Sequence, residues 1–154
     1  MAVGNTFGAT ALSSYGGFWI SYAIVETASG FGIVDAYGSD AAMLHNALGF
    51  YLIGWFVFTM ILWILTWRST LAFSTLFLTV WLVFLFLAIS HFQQAEGKDG
   101  TGFTKAAGVI GCIAAFLAWW NAMAGIADKN NSFFTIPVVH FPWSAKPEDV
   151  KKGK

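Results

Sequence analysis

No Asp, Glu, Lys or Arg falls between Met1 and Val25, and three more runs, about 46–67, 71–90 and 105–127, carry no charge in their interiors. Each is close to the twenty residues that a helix rising 1.5 Å per residue needs to cross a ~30 Å hydrocarbon core. Charged residues make up only 10% of the chain and apolar ones 57%, against roughly 25% charged in a soluble domain. The expected fold is an all-α integral membrane protein with four transmembrane helices, at about 4–25, 46–67, 71–90 and 105–127. A segment at the membrane interface (132–143) and a tail (145–154) follow, so residues 1–144 form a single transmembrane domain. Lipid is thus the first partner. A formal net charge of zero gives no reason to expect nucleic acid.

The connections follow from polar and breaking residues. Residues 26–45 hold Glu26, Asp35 and Asp40 with several Gly and Ser and read as a loop, with Asn46 as the N-cap of the second helix. Arg68-Ser69-Thr70 is a tight turn, and 91–104 is a second loop. Pro137 and Pro142 stop any long helix near the end. Arg68, Lys129, Lys146, Lys151, Lys152 and Lys154 lie on one side of the membrane and Lys98 and Lys105 on the other. This bias places both termini in the cytoplasm.

The first segment, GNTFGATALSSYGGFWISY, is uncharged yet full of Gly, Ser, Thr and Asn. Ala9, Ser13, Gly17 and Ser21 recur at four-residue spacing, with Gly4 and Gly8 beside them, a pattern that lets neighbouring backbones approach. Gly111 and Ala115 extend the theme to the fourth helix, beside a second ladder of Ala114, Ala118 and Ala122. Thr6, Thr10, Ser13 and Ser14, with Tyr15 at the edge, form a hydroxyl stripe. Two readings of that stripe stand. Either the hydroxyls bond back to their own helix or across to another, or they border a path for a small polar solute that must bind weakly to pass.

The lack of an acid or base inside a span argues against an intramembrane hydrolase, a voltage sensor or a proton relay through buried carboxylates. No phosphate-binding loop occurs, and the lone Cys112 supports neither a disulfide nor a cysteine metal site; it reads as a small buried apolar side chain. No cofactor, metal or enzymatic activity is expected. His45 precedes the second helix and His91 ends the third, so both are expected at the outer mouth as wet interfacial histidines, or as groups that attract anions or pass protons. Asn121 is read as an interhelical hydrogen-bond donor or a pore group. His140 is assigned no role.

GNTFGATALSSYGGFWISYA resembles the third-helix signature of the acetate uptake transporters, the YaaH-type acetate–succinate permease family. NALGFYLIGWFVFT resembles that family's next helix, and SFFTIPVVHFPWS resembles the ending of its fungal branch, which includes ammonia-transport-outward proteins. The resemblance covers residues 4–144. It implies six helices per subunit, a pore in each, a hexameric ring in the plasma membrane, and uptake of acetate or similar short monocarboxylates with protons. On this reading the four helices here correspond to helices 3–6. The family's constriction of a Phe, a Tyr and a Leu would place its Tyr at Tyr15 and its Leu at Val80, a smaller side chain. Thr6, Thr10, Ser13, Ser14 and Tyr15 would line the path, with Phe18 and Trp19 as an aromatic wall. The family's NPAPLGL motif and first two helices have no counterpart in these 154 residues, which implies an incomplete gene model or a shortened paralogue, and poor transport by this chain alone. The alternatives to acetate transport are a tetraspan subunit regulating full-length paralogues, or an ammonium exporter.

Overall fold

The computed structural model describes residues 5–27 and 31–144. Gly4 and the tail expected at 145–154 lie outside them. Among the described residues the chain is helical, with no β-strand. Helix α1 (Thr6–Glu26) starts at Asn5, whose side-chain oxygen accepts the Gly8 N–H at 2.8 Å. A Cβ on Gly8 would stand 2.8 Å from Asn5 Nδ2. Within this chain Gly8 therefore leaves room for its own helix cap.

Gly32, at φ 64°, leads into the one-turn α2 (Ile33–Ala36). Helix α3 (Ala41–Leu65) follows, and its N-cap is Asp40, which accepts the Met43 N–H at 2.9 Å. The expected cap, Asn46, lies inside α3 and is exposed. A carboxylate able to satisfy the orphan N–H groups of the first turn decides where this helix begins. The 26–45 stretch is accordingly not all loop. A short 3-10 turn (Thr66–Arg68) ends α3, and α4 (Leu71–Ala95) is capped by Thr70, whose Oγ1 accepts the Phe73 N–H at 3.2 Å. Helix α5 spans Thr101–Ile126. The second connection is thus only 96–100, because His91, Gln93 and Gln94 continue α4 and do not leave it.

That connection is tightly drawn. Ser90 Oγ donates to the Gly100 carbonyl at 2.9 Å, Gln94 Nε2 donates to Ser90 Oγ at 2.9 Å, and the Thr104 hydroxyl lies 2.7 Å from Ser90 Oγ. A Cβ at residue 100 would come within 2.6 Å of the Ser90 carbonyl oxygen, so glycine is required by the close approach. In the connection itself, hydrogen bonding from Lys98 holds the Glu96 carboxyl below the usual carboxylate range, and bonding from Thr101 does the same for Asp99.

Among the described residues three helices, α3 with its 3-10 extension, α4 and α5, are long and apolar enough to cross a membrane. Helix α1 has 21 residues but falls outside that set, its hydropathy lowered by Gly, Ser and Thr. Helix α4 packs between α3 and α5. Helix α1 lies along α3 and α4 through large side chains. Phe7, near its start, meets Phe73 and Phe77 near the start of α4 at 5.7 and 5.5 Å, while Ser21 Oγ, near its end, sits 2.7 Å from the hydroxyl of Tyr51 in α3. It therefore runs antiparallel to α3. The core has two clusters, one of Phe18, Leu52, Phe84 and Ala88, the other of Ala11, Leu62 and Phe77, and Tyr15 packs against both. Cys112, expected to be buried, is exposed on α5, because only a narrow strip of that helix, including Ala107 and Ala114, is covered by the chain.

The segment expected at the interface is extended and tied back onto the α3–α4 turn. The Leu71 N–H donates to the Val139 carbonyl at 2.8 Å, within an antiparallel bridge between Thr70 and His140. The Trp143 indole N–H donates to the Trp67 carbonyl at 2.7 Å, and Ser144 Oγ donates to the Ser69 carbonyl at 2.9 Å. His140 thus has a structural place, through its backbone.

Candidate substrate path

On α1, residues 7, 11, 15, 18 and 22 recur at helical spacing and fall on one face. These are Phe7, Ala11, Tyr15, Phe18 and Tyr22, and this face meets α3 and α4. Phe18 is buried, with its ring centroid 5.0 Å from that of Trp55, 4.9 Å edge-on to Phe84 and 5.9 Å stacked on Tyr51. Tyr15 lies parallel to Phe84, with 6.4 Å between centroids and 10° between planes. Its hydroxyl donates to Thr59 Oγ1 at 2.9 Å, and Thr59 has no exposed surface. Val80 borders the same cluster. Tyr15 and Val80 thus both pack against the cluster that holds Phe18.

The rest of the stripe divides. Ser14 is half-buried, while Thr6, Thr10 and Ser13 are exposed within this chain. Ser13 Oγ donates to the Ala9 carbonyl one turn back at 2.7 Å. Trp19 is 64% exposed and touches Phe18 only by its edge, at 5.0 Å, so the two do not form one wall. Asn121, expected to reach another helix or a pore, donates to its own Leu117 carbonyl at 2.7 Å. Of the small-residue seams, a Cβ on Gly17 would meet nothing within 4 Å, and one on Gly111 only Val83 at 3.9 Å. Ala9 is half-buried and Ala115 exposed.

The interior also contains residues that the sequence did not single out as site residues: Thr59, Tyr51, Trp55 and Phe84. Thr59 had a legible signal, being the one Ser or Thr between Leu48 and Leu65; a hydroxyl in such a run needs a partner. The interior so formed is aromatic and neutral, with its hydroxyls already paired, Tyr15 to Thr59 and Ser21 to Tyr51. No Asp, Glu, Lys or Arg is among these residues, so the interior carries no fixed charge.

At the end of the bundle away from the α3–α4 turn, His45 and His91 are in direct contact. Their Nδ1 atoms are 3.0 Å apart. His45 lies within the first turns of α3 rather than before it, and His91 lies about a turn before the end of α4. No group of three or more His, Cys, Asp or Glu able to hold a metal occurs among the described residues.

These apolar helices define an all-helical protein with segments long and apolar enough to cross a membrane. The chain belongs to the GPR1/FUN34/yaaH family, whose model matches residues 1–143. It is 56% identical over 148 residues to Acetate permease A of Emericella nidulans, covering 94% of this chain and 50% of that protein. It is 44% identical over 146 residues to Ammonia transport outward protein 2 of Saccharomyces cerevisiae, covering 95% and 50%. With Acetate transporter protein patA of Aspergillus clavatus it shares 33% identity over 137 residues, covering 88% and 55%. The chain spans about half the length of the curated relatives it matches.

Proposed function

We propose that this chain takes part in moving acetate and similar short monocarboxylates across a membrane. The observation that carries the reading is its 56% identity, along 94% of its length, to a protein named Acetate permease A. The neutral aromatic interior supports it, since a monoanion or its protonated acid meets hydrogen-bonding groups there but no opposite charge. Helix α1 is read as a fourth span: at 21 residues it is about 31 Å long, and it lies antiparallel to α3 from one end to the other. Residues 1–144 then form the transmembrane unit, with the tail 145–154 and both termini in the cytoplasm and the protein in the plasma membrane. Tyr15 and Val80 narrow the path, beside Ser14 and Phe18. Thr6, Thr10, Ser13 and Trp19, which face away from the chain's own core, line a surface completed by other segments or other subunits. The seam of Gly4, Gly8, Ala9 and Gly17 and that of Gly111 and Ala115 serve packing, the subunits forming a ring of six, and protons accompany the substrate past His45 and His91.

The test is a chimera. This chain replaces the matching half of Acetate permease A, and labelled acetate uptake is measured in cells lacking their own acetate permeases. Uptake close to that of the parent is expected, and a chimera that reaches the membrane yet takes up no acetate overturns the reading. The 44% identity to an ammonia transport outward protein makes ammonium release the second assay. Release that persists without acetate, in a chimera inactive toward acetate, would replace the first substrate with the second.

A further inference from the structure

The contact between His45 and His91 has a chemical consequence that neither ring has alone. An Nδ1···Nδ1 separation of 3.0 Å is a hydrogen-bond distance, and two nitrogens that face each other can hold one hydrogen between them. With both rings neutral, one carries its proton on Nδ1 and donates, and the other accepts with Nδ1 and keeps its proton on Nε2. Adding one proton to the free Nε2 of the donor ring makes that ring an imidazolium, and the hydrogen shared between the two Nδ1 atoms stays in place, its bond now charge-assisted and stronger. Adding a second puts N–H on both facing atoms. Neither can then accept, two like charges stand at contact, and the rings must part.

The surroundings offer no compensation. The charged groups toward this end are Glu26 on α1, Asp35 on α2, Asp40 at the start of α3, Glu96, Lys98 and Asp99 in the α4–α5 connection, and Lys105 on α5. Among the described residues the only ion pair is Lys98 with Glu96, so no carboxylate lies against either imidazole. Both rings are half-buried. The backbone around them is close-set: a Cβ on Gly49, one turn after His45, would stand 2.6 Å from Cε1 of Phe92, the residue after His91. Parting the rings therefore moves the facing ends of α3 and α4, where Ser21 of α1 also reaches Tyr51.

We propose that His45 and His91 form a binding site for one shared proton that ties the facing ends of α3 and α4, and that a second proton releases. The tie rests on geometry alone; its use as a pH-set gate on the path rests on the transport reading above. The site holds most firmly when it carries a single added proton and opens under stronger acid.

The experiment is nitrogen NMR of histidine-labelled full chain in lipid nanodiscs, titrated from pH 8 to pH 4, with resonances assigned by His45→Gln and His91→Gln. Expected are two protonation steps for the pair separated by more than about one pH unit, the mark of strongly coupled sites. In each single variant the remaining ring should titrate in one step. Two rings that titrate independently in the wild type, as they do in the variants, overturn the proposal. The wild-type titration needs no variant to fold, so a poorly folded Gln variant does not decide the result. Acetate uptake by the chimera at the same pH values separates the two claims: split titration with no uptake keeps the shared proton and removes the transport reading. Uptake with independent titration does the reverse.

Discussion

The Tyr15 hydroxyl on α1 donates to Thr59 Oγ1 on α3 at 2.9 Å, and Thr59 has no exposed surface. This bond fixes a ring that packs against both core clusters. Replacing Thr59 by Val keeps the shape and removes the acceptor. Interhelical hydrogen bonds in lipid average about 0.6 kcal/mol, with a maximum near 1.7, and an unmet hydroxyl among aromatic rings belongs toward the upper end. We expect Thr59→Val to lower stability by about 1 kcal/mol, with Thr59→Ser close to wild type. Tyr15→Phe combined with Thr59→Val should cost no more than the worse single change, as a double-mutant cycle in a reversible unfolding assay would show. Additive losses would mean that the two hydroxyls do not act as a pair.

The glycines on the long helices are not equivalent. At Gly49 a Cβ would lie 2.6 Å from the Phe92 ring, while at Gly17 it would meet nothing within 4 Å. Overpacking costs ~1–3 kcal/mol and outweighs the gain of up to ~1 kcal/mol from replacing a helical glycine by alanine. Gly49→Ala should therefore destabilise, and Gly17→Ala should leave the isolated chain as stable or more so. Size-exclusion chromatography adds a second reading: if Gly17→Ala shrinks the oligomer while the subunit stays folded, the seam it belongs to is buried between copies.

Trp143→Phe deletes the N–H that reaches the Trp67 carbonyl at 2.7 Å and keeps an aromatic ring to stack on Phe141. A single bond of this kind contributes about 0.5–1.5 kcal/mol. The helices should be unaffected by circular dichroism, and limited proteolysis between 132 and 144 should accelerate. Unchanged cleavage would show that the other contacts of this segment suffice.

Glu96 and Asp99 are held ionised below the ordinary carboxylate range by Lys98 and Thr101. A carboxyl lowered in this way contributes stability only above its unfolded value, near pH 4, and loses it as acid drives it through the lower folded value. Between pH 5 and 8 neither group changes charge. The Glu96→Gln, Asp99→Asn double variant of the chimera should thus keep the parent's pH profile of uptake over that interval. A displaced profile would move the origin of the pH dependence from the histidines to this connection.

The long helices were legible because charge-free runs of the right length have few other uses. Their ends were less so. His45, Asn46, His91, Gln93 and Gln94 look like loop residues, yet Asp40 caps a helix that already contains the first two, and α4 runs on through the others. Polar residues at the end of a span lie where water or headgroups reach them, and the local sequence does not say which cap is nearest. The face of α1 that packs was also hidden. Small residues advertised close approach, but the chain's own core is filled by Tyr15, Phe18 and Phe7, and which strip meets α3 depends on the shape of the facing side chains. Ser13 and Asn121 turned to their own helix because a carbonyl one turn back is always within reach. The bridge from Thr70 to His140 had no local trace, since it joins distant parts of the chain.

That bridge has a bearing on biogenesis. The α3–α4 turn leaves the ribosome some seventy residues before Trp143 and Ser144, its partners at separations of 76 and 75. Those partners reach it only if α5 has crossed in the correct sense, because a misthreaded last helix would strand them in the opposite leaflet. Closure of this seam thus couples the α3–α4 turn to the far end of α5, so that it can form only after the last helix has returned the chain to the side where the turn lies.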